Sequence, residues 1–133
     1  VCSSDLFLQP TDVAVDQARG HVIVADSGNH RVHVWRTDDT SFVRSFGSRG
    51  GGPGQFMCPE GVAVDPATGD IVVADWGNHR VQVWSADGTF LRDFGSDGAG
   101  PAQFHFPSGV AVDPVTGHIL VADSGNKRVQ IWM

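Results

Sequence analysis

The stretch DIVVADWGNHRVQVW (Asp70–Trp84) decides the fold. Its first run is apolar on both faces, with Ile71 and Val73 on one side and Val72 and Ala74 on the other, the pattern of a strand covered on both sides. Asp75–Asn78 then reads as a turn. Arg80–Trp84 alternates, with Val81 and Val83 facing one way and Arg80, Gln82 and Trp84 the other. Upstream, Gly61–Asp65 is a short apolar run followed by a turn at Pro66–Gly69. Downstream, Ala86–Gly88 is a hairpin signal of the Asp-Gly kind, and Thr89–Phe94 is a fourth strand. Four short antiparallel strands joined by tight turns make one sheet, with no long amphipathic helical pattern beside it.

The same unit returns. HVIVADSGNHRVHVW (His21–Trp35) and HILVADSGNKRVQIW (His118–Trp132) repeat the quoted stretch. FLQPTDVAVD (Phe7–Asp16), FMCPEGVAVD (Phe56–Asp65) and FHFPSGVAVD (Phe104–Asp113) repeat what precedes it. Phe7, Phe56 and Phe104 are 49 and 48 residues apart, the extra residue falling in the polar turn after Trp35. A four-stranded unit with two apolar faces cannot bury both alone, so neighbouring units must stack. The expected class is all-β, a propeller of four-stranded antiparallel blades. Residues 7–55, 56–103 and 104–133 are read as three repeats, the last ending after its third strand. Residues 1–6 form a remnant outside the repeat. About four to eight blades close such a ring. The chain is therefore read as a piece of a longer propeller, completed by further blades of a parent chain or by a second copy.

Composition narrows the function. The chain has 133 residues, 41% hydrophobic and 18% charged, a globular balance. A net charge of −6 argues against a surface that tracks nucleic-acid phosphates. No apolar run is long enough for a membrane span. Cys2 and Cys58 are too few for a disulfide scaffold.

The units PxGVAVD and VADxGNxRVQVW, with Phe-Gly and a GxGPGQF-like stretch between copies, resemble NHL repeats from Phe7 onward. The eponymous triplet reads Asn29–Arg31, Asn78–Arg80 and Asn126–Arg128 in the three copies. The resemblance implies a propeller, usually six-bladed, that serves mainly as a platform for proteins or RNA. Such propellers occur at the end of RING-type ubiquitin ligases, in bacterial sensors, and in a metal-dependent amidating lyase.

Three trios recur: Asp26, Asn29 and Arg31; Asp75, Asn78 and Arg80; Asp123, Asn126 and Arg128. Identical groups in every blade read as architecture rather than catalysis, with Asp and Asn capping their own turns and Arg tying a strand to a carboxylate or to neighbouring carbonyls. Asp16, Asp65 and Asp113 are read as turn residues too. The first copy has Asp12 where the others have Gly, read as a residue that tolerates the left-handed conformation. The six histidines form no recognisable ligand motif, so neither metal nor cofactor is expected, and no catalytic residue is assigned. The glycines between copies lack the Lys-Ser/Thr of a phosphate loop and read as a flexible link.

Function should then sit where the copies disagree. One end of the blades carries both the turn between second and third strands and the link between blades. There Trp76 replaces Ser27 and Ser124, Lys127 replaces His30 and His79, Arg49 stands against Asp97, and Met57 stands against His105. Trp76, His30, His79, Lys127, Arg49, Met57 and His105 are the candidate partner-binding face, a locally basic rim around an exposed aromatic. The alternative for Trp76 is a ring lying over the next blade. The expected function is a non-catalytic platform for a protein or peptide. Three other classes stay open: the substrate-recognition end of a RING-type ligase, a lyase or hydrolase with a channel metal held by other blades, and an RNA-binding propeller.

Overall fold

A computed structural model describes residues 9–133; the remnant assigned to residues 1–6 lies outside them. Three antiparallel sheets follow one another along the chain. The first is β1 (Pro10–Asp16), β2 (His21–Asp26), β3 (Arg31–Arg36) and β4 (Phe42–Phe46). The second is β5 (Pro59–Val64), β6 (Ile71–Asp75), β7 (Arg80–Trp84) and β8 (Phe90–Phe94). The third is β9 (Pro107–Val112), β10 (Ile119–Asp123) and β11 (Arg128–Trp132). Each sheet is a blade whose strands run in sequence order from the inner edge outward. Between its second and third strands each blade makes one 3₁₀ turn, at Ser27–Asn29, Trp76–Asn78 and Ser124–Asn126. Among the described residues no helix is long and apolar enough to cross a membrane.

Stacking divides the apolar residues as the alternation predicts. Ile71 and Val73 join Ile23, Ala25, Val32, Val34, Phe46 and Trp84 in a core between the first and second blades. Val72, from the other face of the same strand, joins Val81, Val83, Phe104, Ile119 and Val121 in a core between the second and third. Strand β6 is buried at every position because it has a blade on each side. The Trp84 ring fills the first junction, 4.3 Å from Phe46 and 5.8 Å from Phe56, ring centroid to ring centroid. Trp132 repeats this against Phe94 and Phe104 at 4.5 and 5.8 Å. Such aromatic pairs add about 0.5–1.5 kcal/mol each beyond their buried area.

Two local readings are corrected. Gly61 and Gly109 are absent from the positive-φ glycines, so the place of Asp12 is not a left-handed one. A Cβ at Gly61 would stand 2.7 Å from the Ser108 carbonyl oxygen, so glycine lets the inner strands β5 and β9 approach closely. In the first blade side chains bridge instead: Asp12 Oδ2 accepts the Val62 N–H at 3.0 Å, and Thr11 Oγ1 donates to the Glu60 carbonyl at 3.0 Å. The link is no slack tether either. Gly47, at φ 97°, lies where a Cβ would meet the Phe56 ring at 2.4 Å, and the Gly50, Gly51 and Gly52 carbonyls each accept a side-chain hydrogen bond.

Val81 and Val83 are 0% and 4% exposed, whereas their counterparts Val129 and Ile131 are each 65% exposed. These apolar side chains, in a row along β11 and next to the exposed Ala122, favour association. The chain is expected to self-associate in light scattering, and Val129→Thr with Ile131→Lys to shift it toward monomer without changing its circular dichroism.

Candidate functional site

The turn and the link meet at one end of each blade, joined by a buried carboxylate. Asp75 Oδ1 accepts the Met57 N–H at 2.8 Å. Its Oδ2 accepts from Asn78 Nδ2 at 2.9 Å, Arg80 Nε at 2.9 Å and Gln82 Nε2 at 3.1 Å. The Arg80 guanidinium donates onward to the carbonyls of Gly51 at 3.3 Å, Gly52 at 2.8 Å and Gln55 at 2.6 Å, and to Asp93 at 3.1 Å. The third blade repeats the network. Asp123 accepts from the His105 N–H, Asn126, Arg128 and Gln130, and Arg128 donates to the Ala99, Gly100 and Gln103 carbonyls.

Arg80 and Arg128 thus tie the third strand to link carbonyls, and the reading of the Asp is corrected. Neither Asp75 nor Asp123 caps its own 3₁₀ turn; each holds the segment leading into its blade. The local-turn reading does hold for Asp16, Asp65 and Asp113, whose Oδ1 atoms accept the N–H of Arg19, Ala67 and Val115. The three trios are also not equivalent. Asp26 accepts from Gln9 N–H, Asn29 and His33 Nε2 at 3.1, 3.1 and 2.9 Å, and Arg31 is exposed. His33 takes the place that Gln82 and Gln130 hold in the other blades.

Electrostatics separate the blades as well. Burial pushes the Asp75 carboxyl above the usual aspartate value of 3.8, against the pull of the Met57 N–H, Asn78 and Arg80. Burial also acts on Asp123, but less, and the donors from His105, Asn126, Arg128 and Gln130 outweigh it and hold it below 3.8. Asp26 likewise lies below 3.8: burial raises it, and Asn29, His33 and the Gln9 N–H together lower it further.

The sequence-assigned partner face splits across two junctions. His30, 5% exposed, is buried and not on a surface. Its Nδ1 accepts the Cys58 N–H of the next blade at 3.1 Å. His79 Nδ1 does the same for the Phe106 N–H at 3.1 Å, so the histidine of the triplet staples one blade to the next. Arg49 and Met57 belong to the first junction with His30, and Lys127 lies exposed on the third blade's turn. Trp76, His79 and His105 come together at the second junction. The Trp76 ring, half-buried, lies over Phe106 of the third blade with centroids 4.3 Å apart. His79 meets the Phe106 ring at 4.5 Å and lies parallel to His105 at 5.3 Å, with 8° between the planes.

Asp97 completes the cluster, its Oδ1 3.0 Å from His105 Nδ1 and 3.7 Å from His79 Nδ1. The hydrogen bond to His105 holds its carboxyl below the usual range, and the charges of His79 and His105 act in the same direction. The rim beside Trp76 is thus not purely basic. Asp97 and Phe106 were missed as site residues because no spacing motif joins them to Trp76. The available signal was that both differ from their counterparts, Arg49 and Cys58.

Two outcomes follow for the network. Arg80→Ala leaves the buried Asp75 without its cation and the Gly51 carbonyl without its donor, while the Gly52 and Gln55 carbonyls keep the Gln55 N–H and Gln82 Nε2. The broken buried pair should cost about 3–5 kcal/mol. Arg31→Ala should stay within about 0.5 kcal/mol of wild type, as exposed substitutions do. Urea unfolding of both variants checks this. On acidification, the depressed carboxyls of Asp26 and Asp123 contribute stability that is full above pH 3.8 and lost as the pH falls below it. Asp75, being raised, contributes with the opposite sign. Asp123→Asn should therefore flatten the acid limb of a stability–pH profile and Asp75→Asn should not.

The NHL repeat family matches residues 7–35, 56–84 and 104–132. No functionally curated protein matches the chain. Among solved structures it is similar to Kuenenia stuttgartiensis hydrazine synthase, with a TM-score of 0.69 and 15% sequence identity over 98% of this chain and 37% of that one. The chain spans well under half of that protein, and the likeness at this identity speaks to the fold alone. Three matched repeats covering more than half of the residues, on three stacked blades, place this chain in the NHL-repeat family.

Proposed function

We propose that the chain is a non-catalytic binding platform whose partner is a protein or peptide, engaged at the junction between the second and third blades. The observation that carries this reading is convergence. The two junctions share one architecture, yet Ser27, Arg49, Met57 and Cys58 of the first are replaced by Trp76, Asp97, His105 and Phe106 of the second. All four replacements meet in one contiguous cluster around His79. The first junction folds without them, so the scaffold does not demand them. A half-exposed Trp over a Phe, flanked by two imidazoles and a carboxylate, offers an aromatic anchor with hydrogen-bonding neighbours, the composition that interface centres favour. The RNA alternative meets a net charge of −6.

A phage-displayed random peptide library panned on the immobilised chain tests this. Selected peptides should lose about 2 kcal/mol of affinity for Trp76→Ser, the cost of truncating a central aromatic anchor, and none for Ala67→Trp at the opposite end. The same substitution should cost about 0.5–1.5 kcal/mol of stability through the lost pairing with Phe106. Peptides that bind Trp76→Ser as well as wild type would move the binding face elsewhere.

A further inference from the structure

The second junction also gathers three groups with the chemistry of metal ligands. His79 follows the 3₁₀ turn of the second blade, in left-handed conformation at φ 54°. Asp97 lies on the link, and His105 on the segment leading into β9. Their ligating atoms all lie within 4.8 Å of one another, the one such group of three among the described residues. A tetrahedral ion holding nitrogen and oxygen ligands at about 2.0–2.2 Å sets those atoms about 3.4 Å apart. The observed separations from Asp97 Oδ1, 3.0 Å to His105 Nδ1 and 3.7 Å to His79 Nδ1, straddle that spacing.

Architecture does not account for the group. The first junction keeps the histidine as His30 but carries Arg49 and Met57 where Asp97 and His105 stand. Stability accounts for it poorly too, because Asp97 is 61% and His105 44% exposed, and an exposed ion pair contributes little. Exposure leaves both side chains room to close on an ion.

We infer that His79, Asp97 and His105 form a binding site for a divalent transition-metal ion of the zinc class, with two imidazoles and one carboxylate from the chain and the remaining position open to solvent. A donor set of nitrogen and oxygen without thiolate suits zinc and its neighbours in the first transition row. His79 Nδ1 already accepts the Phe106 N–H, so an ion taken by that nitrogen competes with the inter-blade staple, which keeps the affinity moderate. In return the ion itself joins the third blade to the link before it, and a ligand bound to the folded state alone raises thermal stability. This assignment reverses the metal-free expectation from the sequence and does not depend on what binds at Trp76.

The test is calorimetric titration of the full chain with zinc chloride, with cobalt chloride absorption as a ligand-field readout. One ion per chain, bound in the micromolar range, is expected, with visible cobalt bands. His105→Met and Asp97→Arg each install the residue of the first junction, which the blade architecture accepts. Each should weaken binding by about 100-fold or more, the upper end of what even the loss of an outer-shell partner costs, while His118→Gln leaves it unchanged. Circular dichroism confirms that each variant is folded, and should one unfold, the other decides. Absence of saturable zinc binding by the folded wild-type chain, or binding undiminished in the folded variants, overturns the assignment.

Discussion

The structure depends on a carboxylate that carries four hydrogen bonds with little access to water. Asp75 and Asp123 each gather the N–H of the segment leading into their blade, the Asn of the 3₁₀ turn, the Arg that opens the third strand and the Gln two residues on. The link between blades presents carbonyls inward, where each would be costly if left unsatisfied. The Arg80 guanidinium, anchored at Nε by the carboxylate, directs three further donors at those carbonyls and one at Asp93. One ion pair thus sets the path of the chain from the outer strand of one blade to the inner strand of the next. Blade stacking, and the apolar cores between blades, follow from that path.

Adjacent blades are joined by three further devices of different range. Trp84 and Trp132 wedge aromatic surface between sheets. His30 and His79 accept a backbone N–H from the following blade. The inner strands touch through Gly61 in one junction and through the Thr11 and Asp12 side chains in the other. Where a side chain can bridge, the close backbone approach is not needed, and so the first copy accommodates an Asp where the others have Gly.

The two junctions therefore separate architecture from specialisation within one chain. Features present in both, the carboxylate node, the wedge and the staple, hold the blades. Features present in one, Trp76, Asp97, His105 and Phe106, stand on the same surface and touch each other. Neighbouring repeats meet along a line that gathers a turn, a link and a lead-in segment from distant stretches of chain. A few substitutions at one junction therefore gather a new side-chain cluster there and leave the next junction as it is.

What the sequence by itself determined was everything carried by short-range periodicity. The four strands per repeat, the double-faced burial of Ile71–Ala74 and the local turns at Asp65 and Asp113 all rest on residues within a few positions of each other, and the sequence shows such neighbours directly. The family resemblance rests on the same local units. Only the tertiary structure decided what the repeated polar residues bond to. The donor to Asp75 from Met57 lies 18 residues upstream, and the staple from His79 to Phe106 spans 27. Arg31 repeats Arg80 in sequence but not in its bonds, and the grouping of His79, Asp97 and His105 corresponds to no spacing rule. The reason is physical: a strand's burial pattern is imposed residue by residue along its own length. A carboxylate's partners are whichever groups the packed blades bring to its side.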